Sequence, residues 1–543
     1  MATAVALAAF VGLQYAPSRT APFIGDDYLI LDKIQHLSFL QVWLPRVLLF
    51  SWYRPWSREF HFWAMYRLFG LRVEYWHLVS LALWVAVLTC FFGVARRLTD
   101  TRAAAVATAG IAALAAWGAP LTWIAGVQEL WMLLFVMLAL QLCVAGRTAW
   151  AAVPFALALL SKETAAGFPV VAMVWERLAP HASWKRAWRR TAPLWACLLA
   201  WASIHPLLLP RLTRPEIGAA ERLYRPSEPV VIVKTLLMHL NVEEWPAPTG
   251  SPWVAGGWPL AGVVILGALA IWGAWSKPAP DGGRMSRRTF ATLAAWAVMG
   301  WLPVLVPSIG WHAYYALLGA FAAWLLLAWA VVRWRPAAVA LVALVATLLP
   351  LRETTPSWDW SSLAYQLRGA HFVKQLRDDL LRLHPAVPPR TRFYFFDVPR
   401  NVGFAAGDGQ LLRVVYRDSS LSGGFLSTYR PRPPGRPGMD LFFRYDTAGR
   451  WVEVVDGPED VVRSQARDPE WAADQRQLSM LLGANGEWRR AAADIAKLAR
   501  AYPADPQYPS NLAYCYARLG DEGAAGRWRR AADSLRVRWA GGR

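Results

Sequence analysis

Charge is scarce in this sequence. Only 17% of its 543 residues are Asp, Glu, Lys or Arg, and 56% are hydrophobic, too little polarity to clothe a water-soluble protein of this length. A bilayer must cover much of the surface. Cysteine is scarce too: of four residues, Cys90, Cys143 and Cys197 sit inside apolar runs and Cys515 stands alone in the polar last third. That pattern excludes a disulfide framework and any Cys-based metal spacing. Acids are the rarer charge, 37 against 57 basic residues, for a formal net charge of +20. In a soluble chain this balance would point to nucleic acid. Here the Lys and Arg punctuate apolar segments and line loops at headgroup depth, so no nucleic-acid partner is expected. What abounds is tryptophan, 33 residues, whose indole suits the membrane interface, with its ring in acyl chains and its N–H toward water.

Apolar runs able to span, some only after tilting, lie at 1–16, 75–95, 103–120, 127–145, 148–161, 164–178, 191–210, 258–276, 289–307, 313–332 and 337–351. They predict a polytopic α-helical membrane protein with about eleven transmembrane helices. If the N-terminus is cytoplasmic, the even-numbered spans end inside. The basic clusters Arg96-Arg97, Arg147, Lys185 to Arg190, Arg284 to Arg288 and Arg333 to Arg335 then all fall on that side. The first run lacks a basic leader and a small-residue cleavage site and is read as an anchor. Outside lie the loops 17–74 and 211–257 and everything from 352 on.

The expected domains are a transmembrane region over 1–351, a small extracytoplasmic β-rich or α+β domain over 352–465, and helical repeats over 466–543. Four runs in the middle domain read as strands: Phe393 to Phe396, Leu412 to Tyr416, Leu441 to Tyr445 and Trp451 to Val455, separated by Gly and Pro turns. The Pro-rich stretch 431–437 reads as a linker or loop. Farther on, Gly486, Trp488 and Ala491 precede Gly520, Glu522 and Ala525 by 34 residues, the tetratricopeptide (TPR) period. Two such repeats need something to pack on, and they offer a surface to a protein partner.

Immediately after the first run, Phe23-Ile24-Gly25-Asp26-Asp27-Tyr28 sets two adjacent carboxylates at the outer membrane surface. Near lipid a carboxylate is desolvated and becomes a stronger base. The bland reading is a helix N-cap. The same loop continues with Tyr53-Arg54-Pro55-Trp56-Ser57-Arg58, and Phe69-Gly70 followed by His77-Leu78-Val79-Ser80 enters the second span. Trp123-Ile124-Ala125-Gly126-Val127-Gln128-Glu129-Leu130 and Leu159-Leu160-Ser161-Lys162-Glu163-Thr164 fall on the same outer side. Each cation has a plain alternative as well: Arg54, Arg58 and Arg72 could snorkel to headgroups, and Lys162 could pair with Glu129 or Glu163. Asp32, Lys33 and His36 read as the polar face of an interfacial helix.

These elements resemble the membrane-embedded C-type (GT-C) glycosyltransferases, in particular the protein O-mannosyltransferase-like branch and the tetratricopeptide-bearing transmembrane O-mannosyltransferases with their bacterial relatives. The resemblance covers residues 1–180, and Pro307-Ser308-Ile309-Gly310 resembles a later Pro-Ser-Leu-Gly element. It implies a GT-C-like fold and a multi-pass protein of a bacterial inner membrane with its C-terminal domain outside. The implied donor is a polyprenyl-phosphate-linked sugar drawn from membrane lipid. The acceptor is an extracytoplasmic hydroxyl of a protein Ser or Thr, a lipid or a polysaccharide. The resemblance places the base of an inverting transfer on Asp26, with Asp27 as helper, acceptor orienter or, if a divalent metal is used, its ligand. No cofactor is otherwise called for. Arg54, Arg58, Lys162 and His312 are the expected phosphate ligands, and Glu129, Glu163 and Tyr53 the groups that orient sugar or acceptor. Competing readings are an O-antigen ligase or polymerase, and a non-catalytic scaffold that recruits envelope partners through its repeats.

Overall fold

The computed structural model describes chiefly residues 15–45, 52–208, 227–242, 285–305, 311–332, 336–342, 362–396, 409–425, 435–446, 448–454 and 486–541, with scattered positions between. The chain forms two compact units, one from residues 1–210 and 225–371, the other from 211–224 and 372–543.

The first unit is helical. After a short helix α1 (Asp26–Ile34) and α2 (His61–Phe69) come α3 (Val73–Leu98), α4 (Thr101–Ala112), α5 (Gly118–Thr122), α6 (Val127–Val144), α7 (Ala152–Leu159), α8 (Phe168–Arg177), α9 (Trp184–Ile204), α10 (Glu228–Leu237), α11 (Arg287–Trp301) and α12 (Leu317–Val331). Among the described residues, four helical stretches are long and apolar enough to cross a membrane: Val73–Leu98, Ile124–Val144, Arg287–Leu305 and Ala313–Val331. With its composition, they make this a multi-pass membrane protein. The run expected at 103–120 is a bent pair, Thr101–Ala112 and Ala115–Thr122, at 57°. Asn241 satisfies the backbone freed at the bend: its Oδ1 accepts from Ala115 N (2.8 Å) and its Nδ2 donates to Ala113 O (2.9 Å). A break at membrane depth needs such substitute partners. The runs at 148–161 and 164–178 are shorter helices flanking the turn at Ser161 to Glu163, and the run at 191–210 lies in α9 as far as its end at Ile204. Most of the first run, the run at 258–276, the later part of 337–351, the element Pro307 to Gly310 and much of loop 211–257 lie outside the described residues. Edge-on rings, such as Trp84 on Trp117 (5.7 Å) and Phe91 on Phe321 (4.8 Å), lock α3, the turn Ala115–Trp117 that precedes α5, and α12 into one core.

The second unit contains a four-stranded sheet in the order β2-β1-β3-β4, with β1 (Arg392–Phe396) parallel to both β2 (Ser422–Phe425) and β3 (Asp440–Tyr445), and β4 (Trp451–Glu453) antiparallel to β3. The helix α13 (Leu363–Leu383) contributes Phe372, which meets Trp451 (5.6 Å), while Asp379 accepts from Trp451 N (2.9 Å). One expected strand is corrected: Leu412 to Tyr416 belongs to a helix, α14 (Gln410–Tyr416), and the missing strand is Ser422–Phe425. A five-residue apolar run does not distinguish strand from buried helix. Here Leu411, Leu412 and Val414 bury together, and Tyr416 reaches back to donate to the His384 carbonyl (2.8 Å). Part of 431–437 and most of 455–485 lie outside the described residues.

Three helices complete this unit: α15 (Trp488–Ala501), α16 (Gln507–Arg518) and α17 (Glu522–Gly541). α15 and α17 start 34 residues apart, each after a left-handed glycine (Gly486, φ 80°; Gly520, φ 78°), and Ala491 and Ala525 are both fully buried. Leu482, Ile495, Leu498, Leu512 and Cys515 form their core.

Candidate active site

Four segments remote in sequence meet at one end of the first unit. The turn before α1 is made by Gly25 at φ 50° and ψ −122°, a conformation that disfavours a Cβ. Gly25, rather than either acid, is the N-cap, so Asp26 and Asp27 occupy the first two helical positions. Their carboxylates also sit favourably at the positive end of the helix.

Asp27 is fully buried and structural in its contacts. Its Oδ1 accepts from Ala125 N (2.7 Å) and its Oδ2 from Ile24 N (2.9 Å), tying the acidic turn to the segment that opens α6. Asp26 is only partly buried and makes no hydrogen bond among the described residues. Burial raises its pKa above the ordinary Asp range, against the pull of Arg58 and then Arg54. Burial lifts Asp27 well above that range, with backbone donors opposing.

The second segment is a π-helical turn, Pro55–Phe60, entered from Arg54. Trp56 N donates to Leu160 O (3.1 Å) and Ser57 Oγ to Ser161 O (2.6 Å), docking this turn on the third segment, Ser161 to Glu163. Arg54 then reaches both neighbours: its Nε donates to Glu163 Oε2 (2.8 Å), its Nη2 to Glu163 Oε1, and its Nη1 to Gln128 Oε1 (2.9 Å). Burial pushes Glu163 up, but Arg54 outweighs it and holds the carboxyl below its usual range. Lys162 pairs with Glu129 and lies over the Tyr315 and Tyr314 rings (4.5 and 4.8 Å). Burial lowers the Lys162 pKa against these acids. Arg58 donates to Glu59 Oε1 (2.7 Å) and to the Trp52 carbonyl (2.7 Å).

Of the expected residues, Asp26, Asp27, Arg54, Arg58, Lys162, Glu129 and Glu163 thus gather at one end. His312 joins through rings shared with Lys162, stacked on Tyr314 (6.0 Å) and edge-on to Tyr315 (5.4 Å). Tyr53 plays a bracing part: its N–H donates to His205 Nε2 (3.3 Å) and its hydroxyl to Trp43 O (3.3 Å). Among the described residues no three His, Cys, Asp or Glu side chains cluster as metal ligands, and both oxygens of Asp27 are committed to backbone amides. Sequence reasoning passed over Glu59, Gln128 and Tyr315. The first two each adjoin a residue it did single out, and that adjacency was the available signal. Glu59 Oε2 is buried without a partner among the described residues.

No family model and no curated protein matches the chain. Among solved structures it is similar to the Archaeoglobus fulgidus oligosaccharyltransferase tethered with an acceptor peptide, at 12% identity, covering 76% of this chain and 63% of that one, with a TM-score of 0.39. It is also similar to ArnT from Cupriavidus metallidurans bound to undecaprenyl phosphate, at 14% identity, 86% and 96% coverage, and a TM-score of 0.43. The chain therefore spans a little under two thirds of the oligosaccharyltransferase. At TM-scores of this size the likeness carries no weight for the reaction.

Proposed function

We propose that this protein is a C-type membrane glycosyltransferase that moves a sugar from a polyprenyl-phosphate carrier to an acceptor hydroxyl on the outer face of a bacterial inner membrane. The observation that carries the reading is the division of labour between two adjacent acids. Asp27 is immobilised by two backbone amides, and beside it Asp26 offers an unbonded carboxylate with a raised pKa in the field of Arg58 and Arg54. That suits a general base: a carboxylate of heightened proton affinity, on a turn anchored by its neighbour and open to the acceptor. Asp26 takes the acceptor proton as its oxygen attacks the anomeric carbon, and the lipid phosphate leaves with the bonding electrons. One carboxylate serves an inverting transfer.

Cations for the leaving phosphate stand close by. Arg54 and Lys162 are held by Glu163 and Glu129, and a phosphate entering from lipid would share their donors, with Arg58 and His312 at the edge of the same site. The acids meanwhile keep both cations placed while the site is empty. Loop 17–74 belongs to the transmembrane region of residues 1–351. The sheet domain of 352–465 and the tetratricopeptide-like repeats of 466–543 then lie outside, where they position acceptor or partner.

The test is Asp26→Asn in the purified protein with a polyprenyl-phosphate sugar. Turnover should fall by roughly 10²- to 10⁴-fold while donor binding survives. Undiminished turnover would remove Asp26 from the chemistry. Because Gly25 caps the helix, the amide costs at most about 1 kcal/mol of helix-dipole stabilisation.

A further inference from the structure

The far end of the same helices carries cations that the transfer does not use. α6 runs 18 residues from the Glu129 end to Val144, about 27 Å, and α7 returns from Ala152 toward Lys162. At the distant end Glu176 is buried and accepts from Thr148 Oγ1 and from Arg190 Nη1 (3.1 Å). Arg288 lies over the Trp175 ring (3.5 Å) and donates to the Trp175 carbonyl (2.7 Å). These contacts gather the end of α8 and the starts of α9 and α11 into one knot.

Around the knot, Arg147, Lys185, Arg186, Arg189 and Arg287 are exposed and have no ion-pair partner among the described residues. Glu176 is the sole acid in the segments 145–150, 175–190 and 284–290, and it is buried and paired. Nothing in these segments neutralises the five free cations. Exposed indoles stand among them: Trp150, Trp184 and Trp188 are 70%, 60% and 51% exposed. Trp184 and Trp188 share a face of α9 with Trp195 and with Leu199, which is 68% exposed. An outward apolar stripe whose end interleaves exposed tryptophans with unpaired Lys and Arg matches the step in a bilayer from acyl chains to the interface, where indoles and phosphates meet.

We propose that this collar binds the headgroups of anionic phospholipids, with Lys185, Arg186 and Arg189 on the phosphodiester oxygens and Trp184 and Trp188 at the acyl boundary. Charge complementarity selects the occupant. A zwitterionic headgroup brings its own cation and gains little from five more, whereas an anionic one gains from each.

The experiment uses the full chain in neutral detergent, titrated with phosphatidylglycerol or phosphatidylcholine, with bound lipid counted by native mass spectrometry. Wild type should retain phosphatidylglycerol in preference to phosphatidylcholine by at least about tenfold. The Lys185→Gln, Arg186→Gln, Arg189→Gln triple variant should lose that preference. Removing equal charge from the exposed Arg527, Arg529 and Arg530 of α17, again to Gln, should leave it intact. So should Lys185→Arg combined with Arg186→Lys and Arg189→Lys, which keeps the charge. The proposal is overturned by an indifferent wild type or by a Gln variant that binds like wild type. It is equally overturned if the α17 control loses the lipid, which makes the effect one of net charge, or if the charge-conserving variant loses it, which makes it one of folding.

Discussion

At the scale of single residues, the site is governed by how burial and ion pairing compete. If Asp26 is the base proposed above, it must be ionised to accept a proton, and burial raises its pKa above 3.8, the ordinary Asp value. Activity is therefore full above the raised pKa and is lost as pH falls through it. A pH profile of kcat/KM should show an acid limb that lies higher than an exposed Asp would give. A limb absent down to pH 4 would discard Asp26 as the base. Glu163 poses a different question, because it holds the very cation that a donor phosphate would want. Its side chain and that of Arg54 are 20% and 16% exposed, so Glu163→Gln leaves a largely buried guanidinium uncompensated, at a cost of up to about 3–5 kcal/mol. The variant should melt several degrees lower yet bind a polyprenyl-phosphate sugar more tightly, because Arg54 is released. Weaker binding together with the lower melting temperature would instead mean that Glu163 contacts the sugar.

At the scale of elements, short connections set the chemistry. Gly25 allows the chain to turn into α1 so that Asp27 reaches the Ile24 and Ala125 amides at once. Among the described residues no atom beyond the adjacent ones lies within 4 Å of a Cβ built there, so Gly25→Ala tests conformation without a clash. It should cost about 1–2 kcal/mol and lower turnover while leaving the distant helical tail unaffected. Thermal unfolding followed beside activity measures both, and an Ala variant with wild-type turnover would show that the turn does not govern the acids. The π-helical turn Pro55–Phe60 works similarly, docking on Leu160 and Ser161 to deliver Arg54. Neither device has a strong sequence signature. The same weakness hid α14, whose apolar run fits either period, and β2, whose Ser-Gly-Gly-Phe reads as a turn until β1 supplies its ladder.

At the scale of the whole molecule, the reading requires the sheet and helical tail to stand outside. A single reactive cysteine at residue 460, in a chain otherwise free of accessible thiols, should be labelled by an impermeant reagent without breaching the inner membrane. Labelling only after permeabilisation would invert the topology and place the acids on the wrong side for a lipid-linked donor at the outer face. The two structural units make a second expectation. Asp26, Arg54, Lys162 and their partners all belong to the first, so a chain ending after residue 465 should bind donor as well as the full chain does. Loss of donor binding from a truncated protein that still folds would assign the repeats a share in the site.

Much of this was legible in the sequence, and the reason is physical. Apolar runs, basic clusters and tryptophan content reflect what a bilayer demands of each segment separately, so they named the membrane character and four of the spanning helices without reference to neighbours. The 34-residue spacing of Gly486 and Gly520 is likewise local, and the structure places both in the same backbone conformation before a helix. The residues of the candidate site could also be named, because Asp26, Arg54, Glu129 and Lys162 sit in segments that no packing argument alone would make so polar. Which of them is bonded and which is left open was decided only by tertiary structure. Whether an acid is bonded by amides or left open depends on which remote backbone reaches it. Ala125 N closes on Asp27 across 98 residues of chain and Glu163 on Arg54 across 109. The bend stitched by Asn241 has the same origin, since a side chain 126 residues away supplies the acceptor that Ala115 N lost from its own helix. Such pairings arise from burial, which favours whatever polar partner the fold brings near.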